Sequence, residues 1–149
     1  MTDCVLCQTV GGNLLWQNDL LRVIDACDPA YPAFTRVIWK AHAAEMTDLA
    51  EEDQQTLMRF VLLVEKTQRA LLQPDKINLA AFGNIVPHLH WHIIARWRDD
   101  AHFPQPVWAE RPEASPAAKL AQENRRKKTS EQMQRYHQAL IAALERLAS

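Results

Sequence analysis

The sequence predicts an α+β fold with an antiparallel sheet, and two observations carry this prediction. Segments rich in β-branched and aromatic residues form two groups, one before and one after a long helical pattern, instead of alternating with helices. A parallel sheet would require that alternation, since crossover helices join its strands. The 149 residues are enough for one compact domain with its own core.

The first group of strands lies before the long helix. Residues 14–24 predict two short strands around an Asn18-Asp19 turn, because apolar segments flank two turn-forming residues. Residues 28–32 contain two prolines and predict a loop. Residues 35–40 are β-branched and aromatic, and they predict a third strand.

The long helix is predicted to begin near Thr47 or Asp48, since either residue is a suitable N-cap, and to run to about Leu72. Acidic residues in its first turn suit the helix dipole, and Pro74 stands just beyond its end. Its apolar stripe consists of Leu57, Phe60, Val61, Val64 and Leu71.

The second group of strands follows this helix. Residues 76–82 and 86–95 predict two strands on either side of a Gly83-Asn84 turn. After residue 112 the composition shifts, and a tail helix with an apolar stripe is predicted from residue 117. The basic cluster at 124–128 interrupts this stripe and is interpreted as a solvated helix face.

Charge and composition exclude several classes of function. The formal net charge of −1 disfavours an electrostatic nucleic-acid binder, which would carry a basic surplus. No apolar run approaches the roughly 18–20 residues of a membrane span, and the N-terminus lacks a secretory pattern, so a cytoplasmic protein is expected. The odd count of three cysteines disfavours a disulfide framework and leaves Cys4-x-x-Cys7 as a metal-binding, redox-active or incidental pair.

Three histidines alternate with apolar residues in the second predicted strand of this group. His88, His90 and His92 would share one face of a strand, with the outer two about 13 Å apart at the backbone, so only neighbouring imidazoles can grip one small group. A neutral imidazole is nucleophilic near pH 7, and its attack on phosphorus would form a phosphoramidate intermediate. The small Gly83 lets backbone N–H groups approach an anion, and the Asn84 amide can donate to a leaving group.

The segment 88–94 resembles the signature of the histidine triad (HIT) superfamily, in which three histidines alternate with apolar residues. The flanking segments 78–87 and 103–108 resemble its bacterial HIT-like branch, often described as diadenosine polyphosphate hydrolases. The resemblance implies a HIT domain at 1–111, followed by a linker and helical tail at 112–149. It also implies a five-stranded antiparallel sheet, one long helix packed on it, and a homodimer.

The same resemblance implies an enzyme that cleaves a nucleoside monophosphate from dinucleoside polyphosphates or nucleoside phosphoramidates, with a purine nucleotide as substrate and no organic cofactor. His90 takes the place of the nucleophile and His92 that of a phosphate contact. Asp25 or Asp28 takes the place of an acidic residue near the ribose. Two departures are visible: Asn84 follows Gly83 where many members have Gln, and Phe34 stands near the place of a phosphate-side histidine.

Some bacterial members of the superfamily hold a structural zinc, and the resemblance maps its ligands to Cys4, Cys7, His42 and His88. Two cysteines with two histidines form a normal closed tetrahedral zinc set. A reduced, unliganded pair and a redox pair remain alternatives. Cys27 is expected to be a small buried hydrophobe, and His102 and His137 are expected at the surface.

Two other functions remain open from the residues. Imidazoles at i and i+2 on a strand can share a metal ion, which would make the histidine face a catalytic zinc centre of a metal-dependent phosphohydrolase. The chain can also be a non-catalytic nucleotide-binding dimer that uses its tail helix as a partner surface. Neither a nucleic-acid nor a membrane partner is expected.

Overall fold

A computed structural model describes residues 3–149 and has the predicted α+β fold; Met1 and Thr2, where the predicted domain begins, lie outside the described residues. The five-stranded sheet has the order β1-β2-β3-β5-β4, and every neighbouring pair is antiparallel. The strands are β1 (Asn13–Gln17), β2 (Leu21–Asp25), β3 (Thr35–Trp39), β4 (Lys76–Ala80) and β5 (His90–Arg96). The helices are α1 (Val5–Gln8), α2 (Glu51–Leu72) and α3 (Pro116–Ala148).

The strand register divides the sheet into two chemically different faces, because successive side chains point to opposite sides. Arg36 lies opposite both Ile24 and His92, so these three side chains share one face. Val37 lies opposite Val23 and Trp91 on the other face. The second face carries the main core, in which β-strand residues pack with the predicted stripe of α2; its fully buried members include Leu21, Val23, Val37, Leu57, Val61, Val64 and Ile93.

The start of the long helix differs from the prediction. Helix α2 begins at Glu51 after an N-cap at Ala50, which makes no side-chain cap, so neither Thr47 nor Asp48 caps it. Asp48 instead closes a preceding 3-10 turn, because its carboxylate accepts a hydrogen bond from the Glu45 amide at 3.0 Å. The predicted end at Leu72 is confirmed.

Strand β5 begins at His90, four residues after the predicted start at Val86. Pro87 has no N–H to donate to a ladder, and the His88 amide bonds back to the Val86 carbonyl at 2.8 Å. The Leu89 amide then donates to the carbonyl of Ala43 at 2.7 Å. The expectation that all three histidines share one strand face is therefore wrong: His88 lies before the strand, and only His90 and His92 share the face.

The tail forms one continuous helix, and the basic cluster at 124–128 lies within it. Ser115 caps α3 by accepting a hydrogen bond from the Ala118 amide at 3.1 Å. Within the cluster, Arg125 pairs with Asp99 at 2.8 Å and lies 4.9 Å over the Trp97 ring. No helix among residues 3–149 combines the length and the low charge that crossing a membrane demands.

We expect Leu140→Ala to lower the free energy of unfolding by about 2–5 kcal/mol, the usual cost of truncating a buried leucine. Leu140 is fully buried and belongs to the core shared with α2. Leu120→Ala on the same helix is the matched control, because Leu120 is 62% exposed, and it should change stability by less than about 0.5 kcal/mol. Urea denaturation measures both; equal effects would contradict the docking of the tail on the sheet domain.

Candidate active site

A cavity of about 500 Å³ opens on the sheet face that carries Arg36, His90 and His92. The N-terminal segment, including Leu6 and Gly11, forms one wall, and the loop that follows β4 forms another. The cavity is lined by Val5, Leu6, Thr9, Gly11, Arg36, Phe82, Gly83, Asn84, Ile85, Val86, His90, His92 and Trp108. Two imidazoles and one guanidinium thus stand in a largely apolar pocket, which is a common composition for a small-molecule site.

The backbone before β5 sets the hydrogen-bonding state of His90. The carbonyl oxygen of His88 accepts a hydrogen bond from Nδ1 of His90 at 2.5 Å. A carbonyl only accepts, so Nδ1 carries the proton of the neutral ring and Nε2 keeps a free lone pair. Burial lowers the pKa of His90, which favours that neutral form. The imidazole therefore has the protonation state of a nucleophile.

His92 has the opposite arrangement. The Nε–H group of Arg36 donates to Nδ1 of His92 at 3.1 Å, so a neutral His92 carries its proton on Nε2. Burial, with smaller contributions from His90 and Arg36, lowers the pKa of His92 to about 3, so this ring is neutral at pH 7. The two rings lie 4.8 Å apart between centroids. One ring offers a lone pair and the other a hydrogen-bond donor, which suits nucleophilic attack on an electrophilic atom whose oxygen accepts that hydrogen bond.

Aromatic rings surround His92. Its ring centroid lies 5.0 Å from Trp108, 5.6 Å from Phe34 and 6.2 Å from Phe82. Trp108 and Phe82 are about half exposed and pack against each other with centroids 4.8 Å apart. They form an apolar rim on the side of the cavity where the Gly83-Asn84 turn lies.

The predicted Gly83-Asn84 turn lies within a longer loop, residues 81–89, because β4 ends at Ala80, two residues before its predicted end, and β5 begins only at His90. Gly83 has φ +75°, a conformation that residues with a Cβ rarely adopt, which explains glycine at this position. Asn84 lines the cavity beside it. Both residues of the predicted turn therefore line the cavity.

A second cluster lies next to the cavity and consists of the four predicted metal ligands, Cys4, Cys7, His42 and His88. Their donor atoms all lie within 4.8 Å of one another. Nδ1 of His88 lies 3.3 Å from the Cys4 sulfur and 3.4 Å from the Cys7 sulfur, and Nδ1 of His42 lies 3.4 Å from the Cys7 sulfur. A tetrahedral zinc site with Zn–S of about 2.3 Å and Zn–N of about 2.0 Å has edges of roughly 3.3–3.8 Å.

The orientation of His88 supports this fit. Its Nε2–H donates to the carbonyl of Trp39 at 2.6 Å, so the Nδ1 lone pair faces the thiols. Ligating histidines commonly have such a carbonyl partner on the other ring nitrogen. The residues present can therefore hold a zinc ion. Among residues 3–149 they form the one group of three or more metal-ligating side chains close enough to hold an ion, and neither His90 nor His92 belongs to it.

A family model described as "HIT domain" matches residues 9–99, more than half of the chain. The chain belongs to the HIT family. A solved histidine triad protein from Bradyrhizobium japonicum is 32% identical, with a TM-score of 0.65 over 92% of this chain and 90% of that one. Another, from Marinobacter aquaeolei VT8, is 26% identical, with a TM-score of 0.66 over 88% of this chain and 92% of that one.

A curated relative of this HIT chain is the "AP-4-A phosphorylase" of Mycobacterium tuberculosis, 27% identical over 81 residues. The match covers 50% of this chain and 42% of the relative. The chain thus spans less than half the length of the curated relatives it matches. The family model and the solved structures thus establish the family and the fold of this chain.

The structure does not bring the two predicted ribose contacts of the HIT site into the cavity lining. By the register, Asp25 lies on the core face, where one carboxylate oxygen accepts a hydrogen bond from the Cys27 amide at 2.8 Å and the other lies 3.9 Å from Nε2 of His137. Asp28 accepts hydrogen bonds from the amides of Ala30 and Tyr31 and thereby stabilises its own loop.

Three predictions about residues outside this HIT cavity are wrong. Cys27 is exposed, with φ 57°, instead of buried. His102 is buried, and its Nδ1 lies 2.6 Å from the hydroxyl of Tyr31. His137 is half-buried at the junction of α3 and the end of β2. All three depend on the packing of loops and of the tail, which local periodicity does not describe.

The HIT site also contains a residue that the sequence analysis missed, Arg36. Its guanidinium lies beside His92 and 5.1 Å from the centroid of the Phe34 ring, close to where the resemblance left a histidine missing. The available signal was a single charged residue in the otherwise uncharged strand β3. Only the pairing of β3 with β5 shows which histidine it faces.

Proposed function

We propose that this HIT protein cleaves a nucleoside monophosphate from dinucleoside polyphosphates or nucleoside phosphoramidates through a covalent intermediate on His90. The observation that carries the proposal is the hydrogen bond from Nδ1 of His90 to the His88 carbonyl, which leaves Nε2 unprotonated beside the donor Nε2 of His92. A relative described as an AP-4-A phosphorylase supports the choice of nucleotide chemistry. The covalent reaction and the class of leaving group are both part of this proposal.

The reaction would proceed in two steps. The Nε2 lone pair of His90 forms an N–P bond to the α-phosphorus, while the bond from phosphorus to the leaving-group oxygen or nitrogen breaks. That electron pair departs with the leaving group, which takes up a proton from solvent. Water then forms an O–P bond, the N–P electron pair returns to Nε2, and a water proton is released. Such covalent catalysis divides one difficult step into two easier ones.

The phosphate would bind between side chains already in place. The Nε2–H of His92 is available to a phosphoryl oxygen, and Gly83 and Asn84 line the same cavity. The apolar wall made by Leu6, Val5 and Val86 suits the non-ionic part of a nucleotide. Zinc held by Cys4, Cys7, His42 and His88 would fix the N-terminal segment in place and would take no part in bond making.

Intact-mass spectrometry of protein quenched during turnover tests this function. Diadenosine tetraphosphate and an adenosine phosphoramidate are supplied separately, and we expect an added nucleoside monophosphate that peptide mapping places on His90. The faster substrate identifies the leaving-group class. If both compounds bind but no product forms, the result supports the non-catalytic dimer instead. If product forms without an adduct, and the rate of turnover falls in proportion to the metal removed, the result supports a metal-dependent phosphohydrolase.

The homodimer implied by the resemblance remains a prediction. Strands β1 and β4 are the two edges of the sheet, so both offer unpaired backbone groups. Light scattering coupled to size-exclusion chromatography should give twice the mass of the chain. A monomeric mass at micromolar concentration would contradict the prediction.

A further inference from the structure

Arg36 is a half-buried cation without an anionic partner. Among residues 3–149, no carboxylate forms an ion pair with it. Asp28 is the one acidic group whose charge raises the pKa of Arg36, and burial lowers that pKa more strongly. Partial burial of a charge without a partner costs free energy. This guanidinium is therefore suited to bind an anion that enters the cavity.

Most of the hydrogen-bonding capacity of Arg36 is unused. Its Nε–H donates to Nδ1 of His92, and within the described chain its terminal nitrogens make no hydrogen bond. The guanidinium packs against the Phe34 ring, 5.1 Å from its centroid, which restricts the direction in which those nitrogens point. A guanidinium held in this way can bind a phosphate through two parallel hydrogen bonds.

The hydrogen bond from Nε–H of Arg36 to Nδ1 of His92 fixes the tautomer of His92. The groups that face this ring are His90 from β5, Arg36 from β3 and the uncharged rings of Phe34, Phe82 and Trp108. Arg36 is therefore the permanently charged group beside it. Because Nδ1 accepts from Arg36, the proton of His92 must sit on Nε2.

We propose that Arg36 is a positioning and phosphate-binding residue: its Nε–H holds His92 as a donor, and its terminal nitrogens bind the phosphoryl group under attack. The identity of that phosphoryl group rests on the proposed function. The tautomer of His92 in the free protein does not depend on the proposed function. This side chain thus supplies the phosphate contact that the resemblance assigns to a histidine near Phe34.

Four variants test the proposal with two measurements. Arg36→Met removes both donor and charge, Arg36→Gln keeps an N–H donor without charge, and Arg36→Lys keeps the charge. Arg69→Met is the control, because Arg69 lies exposed on α2 with 70% of its side-chain surface accessible. The first measurement is the ¹⁵N chemical shift of both His92 ring nitrogens against pH in the free protein. The second is calorimetric affinity for adenosine 5′-monophosphate and for adenosine.

In the wild type and in Arg69→Met we expect a single Nε2–H tautomer of His92. This ring should stay neutral at every pH at which the protein is folded. Arg36→Met should give a mixture of tautomers, and His92 should become protonated at a higher pH than in the wild type, since a neighbouring positive charge is removed. Its affinity for the monophosphate should fall about 10- to 100-fold, as for loss of charge-assisted hydrogen bonds, with affinity for adenosine unchanged. Arg36→Gln should retain the tautomer but lose monophosphate affinity. Arg36→Lys should keep only part of that affinity, because an ammonium group keeps the charge but cannot make the two parallel hydrogen bonds of a guanidinium.

An unchanged His92 tautomer in Arg36→Met, or an equal loss of affinity for adenosine and its monophosphate, would overturn the proposal and leave Arg36 a packing residue. Failure of the proposed function looks different. In that case no adduct forms on His90, while the tautomer and the monophosphate affinity still respond to Arg36.

Discussion

His90→Asn should abolish turnover of dinucleoside polyphosphates and phosphoramidates, with kcat reduced at least about 10⁴-fold, as for loss of the nucleophile in other covalent enzymes. The asparagine side chain has nearly the reach of the imidazole Nδ1 and can donate to the His88 carbonyl as that nitrogen does. It carries no ring nitrogen in place of Nε2 to attack phosphorus. Nucleotide affinity should therefore stay within a few-fold of wild type, and the mass adduct should disappear.

The matched control is His137→Asn, which removes an imidazole of α3 that is half-buried next to Asp25 and does not line the cavity. It should leave kcat within a few-fold of wild type. Steady-state kinetics, calorimetry and intact mass on both variants check the prediction. Substantial turnover by His90→Asn, or an adduct that persists on another residue, would refute covalent catalysis by His90.

Local pattern was enough to predict the fold of this chain. β-Branched and aromatic composition with flanking turn residues located the strands, and helical periodicity located the core face of α2. The run of three alternating histidines identified the cavity residues His90 and His92. These features depend on side chains close in sequence. The cluster of Cys4, Cys7, His42 and His88 was also predicted, from a resemblance that carries long-range information.

The errors arose where pairing between distant segments decides the outcome. His88 left the strand because Pro87 cannot donate to a ladder and the Leu89 amide bonds to Ala43. The register of β3 against β5 places Arg36 beside His92 in the cavity. The register of β2 against β3 places Asp25 on the core face, because a position shifted by one residue faces the other side of the sheet. Sequence periodicity gives the two faces of each strand but not their alignment across the sheet.

Metal removal should destabilise this protein strongly without acting on the chemical step. The purified wild type should contain one zinc per chain, whereas Cys4→Ser and Cys7→Ser should contain none, because each loses a ligand of the cluster. A metal present at about 1,000 times its Kd stabilises a fold by about 4 kcal/mol. That corresponds to a fall in Tm of roughly 8–16 °C for a domain of this size when the metal is lost.

Elemental analysis and thermal denaturation with and without a chelator measure this effect. Cys27→Ser is the matched control, since Cys27 is an exposed free cysteine outside the cluster. Arg22 still holds the N-terminal segment by donating to the carbonyls of Leu6, Thr9 and Val10. Below the lowered Tm, kcat should therefore decline only as the folded fraction declines. If kcat falls in proportion to the zinc content while the protein stays folded, the result would reject covalent catalysis in favour of a catalytic metal.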